Sequence, residues 1–229
     1  MYDLKYQLCA TIPSRAKGGI TISPATHEPA VAVRPSAARD RILATATRLF
    51  YSVGIRTVGV DRLIAESQVA RMTFFRHFPT KDDLVVAFLT AQASAARDEL
   101  TQIRQTRGPH ALLAAVAAGI TTATNTDGFR GCEFINTAAE FCNPNHPARV
   151  LIAQHRAWVR DQMKDALTAL RHPTPSETAE ILLMLRTGAI VAASLEGLTD
   201  TSKLEQTWST LINQTSAHQP RSAHPTSQD

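Results

Sequence analysis

Apolar residues recur three and four positions apart along most of the chain, and no segment shows the alternating pattern of a strand. That spacing places apolar side chains on one face of a helix, so the pattern predicts an all-α protein. Ser36 stands at the N-cap position of the first predicted helix, and Gly54 stands at its end. The apolar stripe between them comprises Ile42, Leu43, Ala46, Leu49, Phe50 and Val53.

Two short helices are predicted next, separated by a tight turn. The second helix runs from about Gly59 to Ser67, and the third lies within residues 69–78. Pro79 ends the third helix, and Thr80 is the predicted N-cap of a fourth. Two short helices joined by a tight turn have the geometry that presents the second of them to a DNA major groove.

The rest of the chain is predicted to continue as longer helices. These helices are separated by breaks rich in Gly, Pro, Asn and Asp. There are six of them, predicted at 82–105, 109–124, 132–142, 147–170, 175–196 and 201–215. The total is about nine helices. Residues 1–34 and 217–229 lack a sustained period, and we interpret them as a flexible N-terminal arm and a disordered tail. The arm either contacts DNA phosphate through its few basic residues or is an inert leader.

Charge is distributed unevenly in a composition that is otherwise ordinary for a globular protein, with 44% hydrophobic and 19% charged residues. Residues 1–78 carry 11 Lys or Arg against 5 Asp or Glu, whereas residues 79–229 carry 13 against 15. Such a concentration suits a polyanionic partner, although a basic tail gives the same count. The three cysteines form no CxxC pair, and Arg186 and Glu196 interrupt the most apolar stretch. We therefore expect a protein of the reducing cytoplasm with no membrane span.

The third predicted helix, VARMTFFRHF at residues 69–78, combines aromatic and basic side chains. Its period turns Val69, Phe74 and Phe78 inward. The outward side carries Arg71, Met72, Thr73, Phe75, Arg76 and His77. Basic and aromatic residues together on an exposed helix face indicate contact with nucleic acid, and the alternative is a set of solvated charges.

Residues 41–89, RILATATRLFYSVGIRTVGVDRLIAESQVARMTFFRHFPTKDDLVVAFL, strongly resemble the DNA-binding domain of the TetR family of transcriptional regulators. The segments LFYSVG, VDRLIAES, TFFRHF and PTKDDL occur at the family's usual spacing without gaps. The resemblance implies a helix-turn-helix DNA-binding domain over residues 35–81 and a helical ligand-binding and dimerisation domain over residues 82–216. It also implies a homodimeric regulator, most often a repressor, that binds a palindromic operator in double-stranded DNA and releases it when a small-molecule effector binds.

Carried onto this sequence, the resemblance implies that Arg71, Met72 and Thr73 approach base edges. It places along the phosphate backbone Thr57, Phe75, Arg76, His77 and Lys81. The chemistry is suitable, because arginine can donate two hydrogen bonds to guanine, and a lysine in the first turn of a helix lies beside free N–H groups that attract phosphate. Two residues depart from the family: Phe75 stands where tyrosine is usual, and Gln68 stands in the turn where glycine is usual. Gln68 must therefore adopt a backbone conformation that is easier for glycine.

The last two predicted helices carry more apolar surface than one subunit needs. In the resembling family these helices form a four-helix dimer interface, which a two-fold operator also requires. The residues expected at that interface are Gly188, Ala189, Ala192, Leu204, Trp208 and Leu211. The alternative is that both helices pack inside one subunit.

A polar residue interrupts the apolar stripe of the helix at 147–170, which comprises Ile152, His155, Val159, Met163, Ala166 and Leu170. His155 should therefore point inward, where a buried polar group needs a partner. We predict an effector pocket lined by Phe134, Ile135, His155, Val159 and Met163, suited to a small, largely apolar or aromatic ligand. The alternative is a packing histidine that is hydrogen-bonded to a neighbouring helix.

Other chemistries find little support in the sequence. It contains no GxSxG, HExxH, phosphate-binding loop or dinucleotide fingerprint, so we predict neither an enzyme nor a cofactor. A metal sensor would use Cys132, Cys142, His146 and His155, but these residues lack the close spacing of metal ligands. A thiol redox-sensing regulator that uses Cys132 or Cys142 is the alternative to the effector-responsive regulator.

Overall fold

The computed structural model describes residues 36–197 and 200–214, which form eight α-helices and no strands. In chain order they are α1 (Ala37–Val53), α2 (Val60–Ser67), α3 (Arg71–His77), α4 (Lys81–Thr124), α5 (Glu133–Glu140), α6 (Pro147–Ala169), α7 (Pro175–Glu196) and α8 (Ser202–Ile212). The all-α prediction is confirmed for this part of the chain. The predicted arm at 1–34 and tail at 217–229 lie outside the described residues.

Helix α1 is capped at both ends and buries its apolar stripe. The Ser36 hydroxyl accepts a hydrogen bond from the Arg39 N–H at 3.5 Å. At the other end Gly54 has a φ of 98°, and its N–H donates to the Phe50 carbonyl at 3.1 Å. Leu49 is fully buried, and α1 packs against α2, α3 and α4. These contacts hold the three short helices and the start of α4 around one apolar centre.

Helix α4 begins at a capping box and kinks near its middle. The Thr80 hydroxyl accepts from the Asp83 N–H at 3.1 Å, and the Asp83 carboxylate accepts from the Thr80 N–H at 2.9 Å. Gly108, with φ 83° and ψ −177°, interrupts the helical backbone, and Pro109 follows it. The predicted break at Gly108 is therefore a kink inside one helix, which is why the described residues form eight helices where about nine are predicted.

The C-terminal helices pack around α4 and α6. Helix α6 lies against α4 and α7, and α8 contacts both α7 and α4. The Trp208 side chain fixes α8, because it is only 1% exposed and its indole N–H donates to the Leu113 carbonyl at 3.1 Å. The predicted stripe of α6 is buried except for Leu170, which is exposed because the helix has already ended at Ala169.

Helix α7 has one packed side and one uncovered side. By length and composition alone it could cross a membrane, a test that core helices of soluble proteins also pass. Its packed side contacts α4, α6 and α8, and its Arg186 lines an internal cavity. On the uncovered side the large apolar side chains of Ile181, Met184 and Leu195 are exposed. The helix therefore presents an apolar surface that its own subunit leaves open.

Candidate nucleic-acid interface and ligand cavity

The turn between α2 and α3 is made by a residue in the left-handed conformation. Gln68 has φ 53° and ψ 46°, and its N–H donates to the Ala65 carbonyl at 3.3 Å. The glycine-like backbone expected at this position is confirmed, at a cost of about 1 kcal/mol for a residue with a side chain. The turn separates α2 from α3 by only three residues, Gln68 to Ala70.

Helix α3 has a buried side and an exposed side. The rings of Phe74 and Phe78 are 0% and 2% exposed, and their centroids lie 6.4 Å apart. Met72 is 85% exposed, so its side chain is accessible to a partner of α3. The exposed side carries Arg71, Met72, Phe75 and Arg76, with Thr73 and His77 half-buried. Phe74 and Phe78 thus pack inward as predicted.

Arg71 contacts two neighbouring side chains. Its Nη1 lies 2.6 Å from the Asp61 Oδ1, and its guanidinium carbon lies 5.5 Å from the centroid of the Phe75 ring. The pair with Asp61 is solvent-exposed, so it contributes little to stability and can be exchanged for another anion or acceptor. The cation predicted to read bases is therefore paired with a carboxylate in the DNA-free protein.

Of the five residues predicted to contact phosphate, Phe75, Arg76 and His77 lie on α3 itself, and Thr57 and Lys81 lie before α2 and at the start of α4. Thr57 is exposed in the loop before α2, and Lys81 is the half-buried first residue of α4. Burial lowers the pKa of the Lys81 ammonium, and the charges of Glu140 and Asp82 oppose that shift. His77 is already hydrogen-bonded, because its Nε2 lies 3.2 Å from the Ser36 Oγ.

Helix α5 and the segment before it are joined to α1 and to the loop before α2 by several hydrogen bonds. The Glu140 carboxylate accepts from the Ile55 N–H at 2.9 Å and from the Arg56 N–H at 2.6 Å. The Tyr51 hydroxyl of α1 donates to the Gly131 carbonyl at 3.1 Å. The sequence analysis missed these contacts, because their partners are 80 to 85 residues apart and no periodic pattern connects them.

A cavity of about 560 Å³ lies between α1 and the long C-terminal helices. Thr47 and Tyr51 of α1 form part of its wall, together with His155 and Val159 of α6 and Arg186 of α7. Apolar side chains of α4 and the residues just before α5 also line it, together with the polar side chains of Arg48, Gln92, Glu99 and Glu133. The volume is that of a small-molecule site, for which roughly 300–1,000 Å³ is typical. Helix α1 and the helices of the C-terminal part of the chain therefore share one cavity.

His155 is a buried polar group of this cavity. Its side chain is 5% exposed, and its ring stacks on Phe134 with centroids 4.2 Å apart. The His155 Nδ1 is buried and has no hydrogen-bond partner among the described residues. Burial, together with the positive charges of Arg186, Arg97 and Arg156, lowers the pKa of His155 to about 4. The imidazole is therefore neutral at neutral pH, and it points inward as predicted.

The residues predicted to line the effector pocket fall in different places. His155 and Val159 line the cavity described above, whereas Phe134 and Ile135 line a second cavity of about 520 Å³ that α5, α6 and α7 enclose. Met163 lines neither cavity and is fully buried, because it lies two turns beyond His155, where α6 packs into the core. The stacked rings of Phe134 and His155 stand between the two cavities.

An apolar groove of about 510 Å³ runs along the uncovered side of α7 and α8. Three of the residues predicted for a dimer interface line it: Gly188, Ala189 and Leu204. Ala192 of α7 and Leu211 of α8 lie on the same two helices and are half-buried. Trp208 is unsuitable for an interface, since its side chain is buried inside the subunit. A Cβ atom at position 188 would meet nothing within 4 Å, so the groove is open there.

The two cysteines of the described residues are free and lie at opposite ends of α5. Cys132 is buried and Cys142 is exposed. Burial raises the pKa of the Cys132 thiol, and the charge of Glu133 adds to that shift. The eight helical residues between them extend about 12 Å, whereas a disulfide needs Cα atoms about 4.4–6.8 Å apart. Within residues 36–197 and 200–214, no group of three His, Cys, Asp or Glu residues is placed to hold a metal ion.

Two short helices joined by a tight turn, the second of them exposed and basic, together with further helices around a cavity, define a helix-turn-helix DNA-binding protein, in which α3 is the recognition helix. Residues 42–88 match the family of bacterial regulatory proteins described as the tetR family. A TetR-family transcriptional regulator from Streptomyces coelicolor is 37% identical, with a TM-score of 0.69, and the match covers 77% of this chain and 92% of that one. The chain therefore belongs to the TetR family of transcriptional regulators, which bind DNA and are not enzymes.

More distant structures share the fold. The reduced form of E. coli NemR is 22% identical, with a TM-score of 0.67, and the match covers 78% of this chain and 97% of that one. A TetR transcriptional regulator from Legionella pneumophila is 19% identical, with a TM-score of 0.66 and the same coverage of 78% and 97%. At these identities the likeness concerns the fold alone. A comparison with curated proteins finds no match.

Proposed function

We propose that this TetR-family protein is a cytoplasmic repressor that binds a palindromic operator as a homodimer and releases it when a small-molecule effector enters the cavity. The observation that carries the proposal is the shared wall of the cavity, in which Thr47 and Tyr51 of α1 face the same space as His155 of α6. A ligand there touches the DNA-binding unit and the C-terminal domain at once. It releases DNA by binding more tightly to an arrangement that does not fit the operator.

In the proposed complex α3 enters the major groove of the operator. Arg71, Met72 and Thr73 approach the base edges, because a recognition helix presents its N-terminal residues to the bases. Arg71 exchanges its carboxylate partner, Asp61, for acceptors on guanine. The phosphate backbone is contacted by Thr57, Phe75, Arg76, His77 and Lys81.

The contacts of α5 are the proposed means by which a ligand in the cavity affects the recognition helix α3. Tyr51 lines the cavity and donates to the Gly131 carbonyl, so a ligand that displaces the Tyr51 ring also strains that hydrogen bond. At the other end of α5, the Glu140 carboxylate holds the backbone N–H groups of Ile55 and Arg56, just before α2. We infer that a movement of α5 changes the position of α2 and α3 relative to the rest of the subunit.

We propose the apolar groove along α7 and α8 as the homodimer interface. A second copy would cover the exposed Met184 and Ile181 side chains, and a two-fold operator requires two reading helices. The small residues at the groove would let helices of the two copies approach closely. The revised set of interface residues is Gly188, Ala189, Ala192, Leu204 and Leu211. In a sedimentation experiment, Ala189→Arg should give a monomer, and Thr210→Arg on the exposed part of α8 should stay dimeric.

A thiol redox sensor is the second candidate and receives less support. The raised pKa of the buried Cys132 disfavours the reactive thiolate, and an intrachain disulfide with Cys142 would require α5 to unfold. Alkylation mapping separates the two functions. Loss of operator binding on modification of either cysteine favours redox sensing, whereas unchanged binding favours the small-molecule effector.

Selection from random DNA duplexes, followed by footprinting of the selected site, tests the proposed function. We expect the dimer to protect a two-fold symmetric site, and we expect transcription in vitro to fall when that site overlaps a promoter. Arg71→Ala should lose preference at particular bases of the site. A protein that protects no specific sequence, or that stimulates transcription from the same template, would contradict the proposal.

A further inference from the structure

The second cavity, which lies between α5, α6 and α7, is lined by charged side chains of one sign. Its volume is about 520 Å³, and its wall includes the guanidinium groups of Arg149, Arg156 and Arg160. No aspartate or glutamate of residues 36–197 and 200–214 lines it. The proposed effector cavity differs, because its wall contains carboxylates as well as guanidinium groups. The wall of the second cavity therefore attracts a negative charge and contains no carboxylate to oppose that attraction.

The three arginines lie on one face of α6. They are seven and four residues apart, which corresponds to two turns and one turn of a helix. Ala153 and Ala157 lie on the same face between them and also line the cavity. Because alanine side chains are short, they leave space beside the guanidinium groups for an occupant.

Two of the arginines are held in place and still have donor groups available. The Arg149 Nη1 donates to the carbonyl oxygens of Ala138 at 2.9 Å and of Phe141 at 3.0 Å. The Arg156 Nη1 lies 3.2 Å from the Thr187 hydroxyl, to which it donates. A guanidinium group has five N–H donors, so each of these two keeps N–H groups that have no partner among the described residues.

Within the described part of the chain, one carboxylate pairs with the arginines of this cavity. The Arg160 Nη2 lies 3.0 Å from the Asp161 Oδ1, and the two side chains are 41% and 53% exposed. An exposed pair of this kind contributes little to stability and can exchange its carboxylate for another anion. Arg149 and Arg156 form no ion pair with any described carboxylate. Two of the three positive charges therefore have no counter-charge in contact with them.

The other walls of the second cavity are mostly apolar. Phe134 and Ile135 of α5 line one side, and Leu183 of α7 lines another. None of the residues that line this cavity lines the groove along α7 and α8, so the proposed homodimer interface uses a different surface. An occupant with a charged end and an apolar body would meet a complementary surface at each end.

We propose that the second cavity binds a small amphipathic anion, whose oxyanion head group is held by Arg156 and Arg160 and whose apolar body lies against α5 and α7. Carboxylate, sulfonate and phosphate oxygens accept pairs of N–H bonds from a guanidinium group. Residues one helical turn apart have Cβ atoms about 5–6 Å apart, so both guanidinium groups can reach one head group. This site is separate from the proposed effector cavity and does not depend on it.

Four probes that share one apolar body test the preference for an anion. They are para-butylbenzenesulfonate, para-butylbenzoate, para-butylbenzenesulfonamide and para-butylbenzylamine. Their binding to the full-length protein is measured by titration calorimetry without DNA. We expect the sulfonate and the benzoate to bind roughly tenfold or more tightly than the neutral sulfonamide and the cationic amine. Their affinity should fall as the salt concentration rises, because salt screens the partly exposed charges.

Substitutions of the arginines test where the anion binds. Arg156→Leu should weaken sulfonate binding by roughly tenfold or more, because it removes a charged donor. Arg160→Leu should weaken it less, since Asp161 already pairs with that guanidinium. Arg186→Leu is the matched control, because Arg186 lines the proposed effector cavity and not this one, and it should leave binding unchanged. Arg156→Gln replaces the leucine variant if that protein fails to fold.

A second pair of variants fills the cavity without changing its charge. Ala153 is exposed in the cavity wall, so Ala153→Trp should place a large ring in the space of the ligand and abolish sulfonate binding. Gln154→Trp is the control, because Gln154 is the next residue of α6, is exposed and lines neither cavity.

Three outcomes overturn the inference. The first is a sulfonamide or an amine that binds at least as tightly as the sulfonate. The second is the absence of binding by either oxyanion probe, which is also the result if a partner subunit covers the cavity. The third is sulfonate binding that survives Arg156→Leu and Ala153→Trp but is lost in Arg186→Leu, because the probe would then occupy the other cavity.

Discussion

The recognition helix α3 and the cavity wall each place a nitrogen-containing side chain against a phenylalanine ring, but the two pairs have opposite surroundings. On α3, the guanidinium of Arg71 lies over the Phe75 ring, and both side chains are exposed to water. In the cavity, the His155 imidazole stacks on the Phe134 ring and is buried. Exposed charges attract a polyanion and are screened by salt, whereas burial removes the charge from an imidazole.

From this difference we infer that the exposed face of α3 and the cavity bind partners of different kinds. An exposed basic face is suited to many contacts with a charged polymer, each of them weak and sensitive to salt. A cavity lined by apolar side chains and a few polar ones is the kind of site that binds a small molecule, which is the partner proposed for it. Four experiments test this difference.

The largest expected effect is a loss of stability that distinguishes Phe74 from Phe75, two adjacent residues of α3. Phe74→Ala empties a fully buried position and should lower the free energy of unfolding by about 3–5 kcal/mol. Phe75→Ala removes a ring that is 38% exposed and should lower it by less than about 1 kcal/mol, while weakening operator binding. Urea denaturation and operator titration measure the two quantities. Equal destabilisation by both variants would mean that the two sides of α3 are assigned wrongly.

The second experiment concerns the protonation of His155. Its pKa is about 4 in the folded protein and about 6.5 in the unfolded chain, so below pH 6.5 the unfolded state binds the proton more readily. The stability of the folded protein should therefore fall as the pH falls from about 6.5 to 4, by about 3 kcal/mol from this residue. Denaturation of the parent and of His155→Phe across this range measures the contribution. Parallel pH profiles would show that His155 is not buried in the neutral form.

A third pair of variants separates base reading from phosphate contact. Arg71→Ala should reduce preference at particular operator positions, at a cost of about 1–3 kcal/mol, because it removes hydrogen bonds to a base. Lys81→Ala should weaken all sequences alike and reduce the slope of log affinity against log salt by about 1. Competition binding against single-base operator variants at several salt concentrations tests both. If the two variants lost affinity uniformly at every base, the assignment of Arg71 would fail.

The smallest expected effect comes from the partner of Arg71. Asp61→Asn removes the carboxylate that holds the Arg71 guanidinium in the DNA-free protein. Because exposed ion pairs contribute less than about 1 kcal/mol, operator affinity should rise only a few-fold and stability should change little. Asp165→Asn, which removes an exposed carboxylate of α6 without touching Arg71, is the control. A loss of affinity specific to Asp61→Asn would show that Asp61 helps to position Arg71 on DNA.

Local signals predicted the DNA-binding unit well. The caps at Ser36 and Thr80 and the stop at Gly54 act within a few residues of chain, and the burial of Phe74 follows from the period of its own helix. Such features depend on neighbours in sequence, so a pattern can reveal them. The family resemblance then added the expected function of the exposed side.

Contacts between distant helices could not be predicted in the same way. The Glu140 contact with the Ile55 N–H and the Asp61 contact with Arg71 depend on how helices rotate and cross after packing. The same rotation put Phe134 in the wall of a second cavity and Trp208 inside the subunit. A helical period indicates that a residue faces inward, but it does not indicate which cavity or neighbour the residue meets.

The central claim is that occupation of the cavity weakens operator binding, and one titration tests it most directly. Operator affinity is measured by fluorescence anisotropy at increasing concentrations of a probe, the small molecule that binds the cavity most tightly in thermal-shift screening, in the parent and in Arg186→Leu, which alters a residue of the cavity wall. The account predicts that the probe lowers operator affinity of the parent by about 5- to 150-fold, and that operator DNA lowers probe affinity by the same factor. The variant should bind operator normally and stay bound at probe concentrations that release the parent. A probe that saturates the cavity while operator affinity stays constant would contradict the account.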